Sequence, residues 1–388
     1  MNHLKDLFLL EPEIVFLNHG SFGATPRPVF EAFQEWQLRI ERQPVRYFLT
    51  ELPQHLEEAR QVLADYLSAK PQELAYIPNA TYGVNTIARS IALAPGDEIL
   101  TSDHEYGACD NAWEFVCQKT GSQYIRQPLP LPADSPQEML EKLWNGVTKH
   151  TRLIFLSHIT SPTAIRLPVE AVCRRAQEAG ILTFIDGAHA PGQIKLNLSA
   201  LGADFYTGNC HKWMMSPKGS AFLYTREERQ TQVEPLVVSW GWGSNSPFAY
   251  GSPYLDALQW PGTKDHSAAL SVPAAIRFQE EHDWPAVRQC CHELLQQALE
   301  GLISLTGLPS NYNVGSEPYS QMASVLLPPI TDLVELKTRL YQDYRVEVPL
   351  IDWNGRQLMR ISVQGYNSPE DIQVLLEAME TLLPHFSA

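Results

Sequence analysis

The sequence predicts an α/β fold: a mostly parallel sheet with helices on both faces, followed by a smaller α+β domain. Three observations predict it. Through the first two thirds of the chain, short apolar runs alternate with segments whose apolar residues recur at helical spacing, the signature of βα units. One run, Ile181 to Ile185, ends on a carboxylate, Asp186, followed at once by Gly187, as a buried parallel strand does when it delivers an acid to the ligand-collecting edge of a sheet. After about Ser267 the alternation gives way to long helical stretches separated by isolated strands.

The elements follow in order. Glu31 to Ile40 and Leu56 to Leu67 carry helical periodicity, and Leu74 to Ile77 reads as a strand. Next, Pro78-Asn79-Ala80-Thr81 turns into a helix; a Thr at its start and free backbone amides would suit an anion, or Thr81 is a plain helix cap. Asp97 to Thr101 and Arg152 to Ser157 are strands, Val169 to Ala179 a helix, and Ala203 to Thr207 a further strand. Beyond Ser267 the pattern predicts one long helical segment to about Leu305. Strands follow at Ser324 to Leu327 and Leu358 to Val363, with helices over Leu333 to Tyr341 and Pro369 to Leu383. The expected division is residues 12–266 as a large domain and 267–388 as a small one, with residues 1–30 lining the site or packing on the small domain.

Composition narrows the class. The 388 residues, 44% apolar, suffice for a large core, and 29 basic against 44 acidic residues leave a net charge of −15, the wrong sign for nucleic acid or an anionic membrane surface. Cys109, Cys117, Cys173, Cys210, Cys290 and Cys291 show neither disulfide nor zinc spacing, no His-Glu-x-x-His occurs, and no apolar run is long enough to span a bilayer. The expectation is a cytoplasmic protein with no metal, no nucleic-acid partner and no membrane partner. A serine hydrolase is disfavoured because Gly20-Ser21-Phe22-Gly23 lacks the Gly-x-Ser-x-Gly spacing.

The chemistry centres on Lys212, in Gly208-Asn209-Cys210-His211-Lys212-Trp213, which lies 212 − 186 = 26 residues beyond Asp186. A lysine that bonds to an aldehyde cofactor needs a partner carboxylate to keep the cofactor's ring nitrogen protonated, since only then does the ring draw electrons from a substrate carbon. The pair points to pyridoxal 5'-phosphate.

Around this pair the chain carries, in order, Phe16 to Gly23, Asn79-Ala80-Thr81, Asp103 to Ala108, Asp186 to Gly192, Gly208 to Trp213, Pro261 to Asp265, Arg360-Ile361-Ser362 and Gly365-Tyr366-Asn367. These motifs resemble the class V aminotransferase family of fold-type I pyridoxal phosphate enzymes, within it the isopenicillin N epimerase-like branch, related to cysteine desulfurases and C–S lyases. The resemblance implies a seven-stranded sheet and a homodimer. It further implies that Lys212 forms the covalent bond to the cofactor, Asp186 pairs with the pyridine nitrogen and His189 lies near the phenolic oxygen. Ala80, Thr81, Asn209 and His211 match phosphate-binding positions, Thr263 matches a residue given to the phosphate of a second subunit, and Ser161 falls near the ring's oxygen substituents. Arg360 occupies the position that grips a substrate α-carboxylate, with Asn18 and His19 also expected to touch substrate. At the ring-stacking position, counting back from Trp113 aligns Glu105 and Tyr106 with the Glu-His pair of the desulfurases, so Tyr106, rather than His104, is expected on the ring face.

Several reactions fit such a site. Epimerisation at the α-carbon, cysteine-independent β-elimination and transamination all begin with proton removal by a buried lysine amine. The desulfurase reaction needs a cysteine shortly before the substrate arginine, and residues 345–357 contain none. A cofactor-binding regulator without turnover predicts loss of Lys212 or Arg360, and both are present.

Overall fold

A computed structural model describes residues 2–133, 135–243, 249–312 and 319–387. Its centre is a seven-stranded sheet. In chain order the strands are β1 (Leu74–Ile77), β2 (Glu98–Ser102), β3 (Gln123–Gln127), β4 (Thr151–Ser157), β5 (Leu182–Asp186), β6 (Phe205–Asn209) and β7 (Ala221–Thr225). Their spatial order is β1-β7-β6-β5-β4-β2-β3, and β7 alone runs against its neighbours. Leu153 to Leu156, Phe184, Ile185, Phe205 and Phe222 are all fully buried, because helices cover both faces and leave no side of these strands for polar residues.

The connections leave β2 and β4 in opposite directions, β2 stepping outward to β3 and β4 stepping inward to β5 and β6. At such a switch point the following loops diverge and open a crevice at the carboxyl ends of the strands.

A three-stranded antiparallel sheet completes the framework, with β8 (Met322–Leu326), β9 (Leu350–Trp353) and β10 (Arg356–Ser362) in the order β9-β10-β8. The N-terminal segment packs against it. Val15–Phe16 pairs in parallel with Val346–Glu347, the Ser362 amide donates to the Leu17 carbonyl at 2.9 Å, and the Phe8 ring meets Tyr366 edge-on at 4.8 Å. This brings Ser21 and Phe22 back to the large sheet's crevice.

Two expectations need correction. The long helix predicted from Ser267 to about Leu305 is three helices, Ser267–Leu270, Val272–Glu281 and Trp284–Thr306. Pro273 and Pro285 stand in the first turns of the second and third, where a missing amide hydrogen is harmless, and Asp283 adopts φ 45° just before the last. Thr81 is not the cap of its helix: Asn79 is, accepting from the Tyr82 amide at 2.8 Å, which puts Ala80 and Thr81 inside the first turn of Ala80–Ser90. Strands β3 and β7 were not anticipated; β7 is a five-residue, wholly buried run without the flanking signals that marked β5.

Candidate active site

One pocket collects the carboxyl ends of five strands. It is lined by Asn79, Ala80 and Thr81 after β1, Tyr106 after β2, Ser157, Ile159 and Ser161 at and after β4, Asp186, Ala188 and His189 at and after β5, and Asn209, His211 and Lys212 at and after β6. Ser21 and Phe22 close it from the N-terminal segment. A larger groove of about 860 Å³, between the helices around Trp36 and His55 and residues 270–277, contains none of this chemistry.

Asp186 is buried at the end of β5. One carboxylate oxygen accepts the Ala188 amide at 2.9 Å and the other the Cys109 thiol at 3.4 Å. Burial pushes its carboxyl upward, while these bonds and the Lys212 charge pull the other way. No salt bridge to Asp186 occurs among the described residues, so its charge is short of a close cationic partner.

Lys212 is equally buried, and desolvation lowers its ammonium to about 8, with Arg360 adding to the fall and Asp186 opposing it. Its Nζ lies 3.2 Å from His189 Nε2. The Trp213 indole can only donate, and it does so to His189 Nδ1 at 3.3 Å. The neutral ring therefore carries its proton on Nε2, aimed at the lysine, and burial keeps that ring neutral by driving its pKa well down.

Arg360 comes from β10, on the smaller sheet. Its guanidinium donates to the Ser161 carbonyl at 2.7 Å, the Ser161 hydroxyl at 3.1 Å and the Ser21 hydroxyl at 3.1 Å, while Nε has no partner among the described residues. No carboxylate among the described residues pairs with it, and burial lowers it to about 10. A fixed, dehydrated guanidinium without a counter-ion, next to two pocket residues, is an anion site.

The other expected residues fall into two groups. Tyr106 lines the pocket and is 48% exposed, whereas His104 is fully buried, bonded to Thr163 Oγ1 at 2.7 Å and the Leu129 carbonyl at 3.2 Å. Thr81, Asn209 and His211 line the pocket too. Neither the amide nor the hydroxyl of Thr81 makes a hydrogen bond among the described residues, and both sit in the first turn of a helix, where donors favour an anion. Ala80 lines it, but its amide is taken by Asn209 Oδ1 at 2.9 Å, which leaves the Asn209 amino group for a ligand.

Asn18 and His19 have partners within the chain. Asn18 donates to Glu347 at 2.9 Å and accepts the Ser21 hydroxyl at 2.5 Å; His19 is fully buried between Tyr366 Oη and the Lys212 carbonyl, both at 3.0 Å. Neither lines the pocket, and their polar atoms are committed to holding the chain around Lys212 and Ser21. Thr263 is exposed and lines no part of the pocket of its own chain.

Sequence reasoning missed Ser21 and Phe22 as lining residues, and Cys109 and Ser157 entirely. It used Glu105 only as an alignment mark. Glu105 is buried, accepts from the Ser102 hydroxyl at 2.6 Å and from the Ser157 amide and hydroxyl at 2.8 and 2.6 Å, and desolvation raises it to about 8. Cys109, three residues past Tyr106 on the same helix start, was a readable signal.

The comparisons agree with this geometry. The profile of the family described as aminotransferase class-V matches residues 15–375. The chain belongs to the class V aminotransferase family. It is 36% identical over 383 residues to an isopenicillin N epimerase of Amycolatopsis lactamdurans, covering 96% of each chain, and 28% identical to a probable chloroplastic L-cysteine desulfhydrase of Arabidopsis thaliana, covering 96% of this chain and 84% of the relative. The fold is that of a cysteine desulfurase from Thermococcus onnurineus (TM-score 0.83, 22% identity, 99% and 98% of the two chains) and of a cystine C–S lyase solved with cysteine persulfide (TM-score 0.79, 22% identity, 97% and 99%). This family enzyme uses pyridoxal 5'-phosphate. The site suits that group: a buried carboxylate lacking a cation awaits a protonated ring nitrogen, a buried amine awaits an aldehyde, and an uncommitted helix start awaits a phosphate.

Proposed function

We propose that this enzyme epimerises an amino acid at its α-carbon. The observation that carries the reading is a pocket lined by Lys212, its ammonium lowered by burial, with Arg360, charged and without a carboxylate partner among the described residues, bonded to Ser21 and Ser161 of that lining, in a chain matching isopenicillin N epimerases nearly end to end. Pyridoxal phosphate, when bound, supplies the electron sink that makes an α-proton removable.

The roles of the residues follow from their settings. Asp186 holds the ring nitrogen protonated, and the Cys109 thiol and Ala188 amide hold Asp186 in place. His189 Nε2–H, 3.2 Å from Lys212 Nζ, would serve the ring's oxygen beside that lysine when the cofactor is bound. Thr81, the Asn209 amino group and His211 would hold the phosphate, and Tyr106 would cover the ring. Arg360, kept rigid by Ser21 and Ser161, grips the α-carboxylate in two-pronged fashion, which fixes the α-carbon beside Lys212 Nζ. The Lys212 amine would take the α-proton from the face of the carbon on its own side. Asn18 and His19 orient these groups without touching substrate.

The working unit is a homodimer, with Thr263 directed to the partner's phosphate; its exposure in one chain and the exposed Phe22, Val45, Leu49, Trp240 and Trp242 support that reading. Six unpaired cysteines suit the reducing cytoplasm. No described helix is long and apolar enough to cross a membrane. Residues 12–266 make up the large domain and residues 267–388 the small one.

A second reading has its own support: the desulfhydrase relatives at 28% identity favour β-elimination. Incubation of the holoenzyme with both enantiomers of an amino-acid panel in deuterated water separates the two. Deuterium at the α-carbon with inversion is expected; a keto acid released with sulfide from cysteine, without inversion of any panel member, overturns the epimerase reading.

A further inference from the structure

We propose that Tyr106 is the second acid–base group of the site, exchanging a proton with the face of the substrate α-carbon opposite Lys212. The assignment rests on the epimerase reading, which requires two proton carriers on two faces or one carrier that reaches both.

The topology supplies the two faces. Asp186 ends β5; Lys212 follows β6, the neighbour on one side, and Tyr106 follows β2, which lies beyond β4 on the other side. A ring held at its nitrogen by Asp186 would lie between the lysine and the phenol, which enter the pocket from opposite sides of β5. All three residues line the same pocket. The Tyr106 phenol and the Arg360 guanidinium interact electrostatically, as do Arg360 and Lys212, so a carboxylate held by that guanidinium would lie near both proton carriers.

Elimination among the neighbours leads to the same residue. His189 is on the lysine's side, 3.2 Å from Nζ, with its other nitrogen taken by Trp213. Glu105 is enclosed by Ser102 and Ser157, Cys109 is bonded to Asp186, and both nitrogens of His19 are engaged. The Ser21 hydroxyl donates to Asn18 and accepts from Arg360, and the Ser161 hydroxyl also accepts from Arg360. The Tyr106 hydroxyl makes no hydrogen bond among the described residues. Its side chain is half exposed, which gives it a route for proton exchange with water.

In one direction the Lys212 amine takes the α-proton, the C–H electron pair staying with the carbon and the sink beside it. The Tyr106 O–H bond then breaks and its proton forms the new C–H bond on the other face, leaving an ammonium and a phenolate. The phenolate faces the Arg360 guanidinium until water restores its proton and removes that of the ammonium. The opposite enantiomer runs the same steps in reverse.

The test is Tyr106→Phe, which keeps the ring and removes the proton. Apo-protein is titrated with pyridoxal phosphate by absorbance, and the holoenzyme is then given each enantiomer of an amino acid that the wild type inverts, in deuterated water. The expected result is unchanged cofactor uptake, deuterium entering the α-carbon of one enantiomer with retained configuration, and inversion slowed by roughly 10²–10⁴-fold. Inversion at the wild-type rate overturns the assignment while leaving the epimerase reading intact. Loss of cofactor uptake, or equal loss of exchange from both enantiomers, overturns it as well, since either makes the hydroxyl structural. A wild type that inverts nothing overturns the epimerase reading and the assignment with it.

Discussion

Lys212 lines the pocket and Arg360 stands behind Ser21 and Ser161 of its lining, both buried cations, yet the two sheets that carry them treat their charge in opposite ways. The large sheet buries Lys212 beside a neutral histidine, so desolvation brings its ammonium down to about 8, where it can give up and regain a proton near neutral pH. The small sheet gives Arg360 three oxygen acceptors from Ser21 and Ser161, which satisfy its donors without cancelling its charge, and even lowered to about 10 it stays protonated. One region is built to move a proton. The other is built to hold an anion still, and the division of labour between them is what a reaction at an α-carbon requires.

The strongest way to break this comparison is Lys212→Ala. Loss of both the covalent anchor and the proton carrier is expected to reduce α-carbon deuterium exchange by roughly 10⁴-fold or more, with the yellow colour of the holoenzyme lost on dialysis. Next comes Asp186→Asn, which keeps the shape and removes the charge at the ring nitrogen; exchange is expected to fall roughly 10²–10³-fold while absorbance titration still detects cofactor uptake.

Arg360→Gln sharpens the other side. A charge-assisted bond of about 1.5–3 kcal/mol is removed from substrate but not from cofactor, so kcat/KM is expected to fall about 10–150-fold, chiefly through KM, with the cofactor spectrum unchanged. A fall in kcat alone would mean that Arg360 acts on the reacting atoms rather than on the carboxylate.

The smallest effect concerns stability. Lys212 binds its proton less tightly folded than unfolded, so between about pH 8 and its ordinary value of 10.5 the unfolded chain holds the extra proton and stability rises with pH. Below pH 8 the burial cost is present in full, on the order of 3 kcal/mol. Lys212→Met apo-protein is therefore expected to unfold at a higher temperature than wild type at pH 7, with the difference shrinking by pH 10 in the same thermal scan.

What the sequence disclosed follows the same split. Asp186 and Lys212 were legible because each sits at or just past the end of a buried strand, and the order of such strands along the chain is their order in the sheet from β4 to β6. Arg360 was legible for a similar reason: it stands inside an apolar strand, where a dehydrated cation is costly unless an anion comes to meet it. The bonds of Asn18 and His19 to Glu347, Tyr366 and the Lys212 backbone were not legible, because those partners stand 193 to 347 positions away, where no local pattern reveals them. Ser21 was missed for the converse reason: its value lies in touching Arg360, 339 positions distant. The breaks in the predicted long helix were written in Pro273 and Pro285, and apolar periodicity alone overrode them.

The central claim is that one amine in this chain, buried across the pocket from a carboxylate, bonds pyridoxal phosphate. Borohydride reduction of the holoenzyme followed by peptide mass spectrometry measures this directly. A reduced phosphopyridoxyl group on the peptide bearing Lys212, and on no other lysine, is the result the account predicts; the group on a different lysine, or on none while the protein retains bound cofactor, would contradict it.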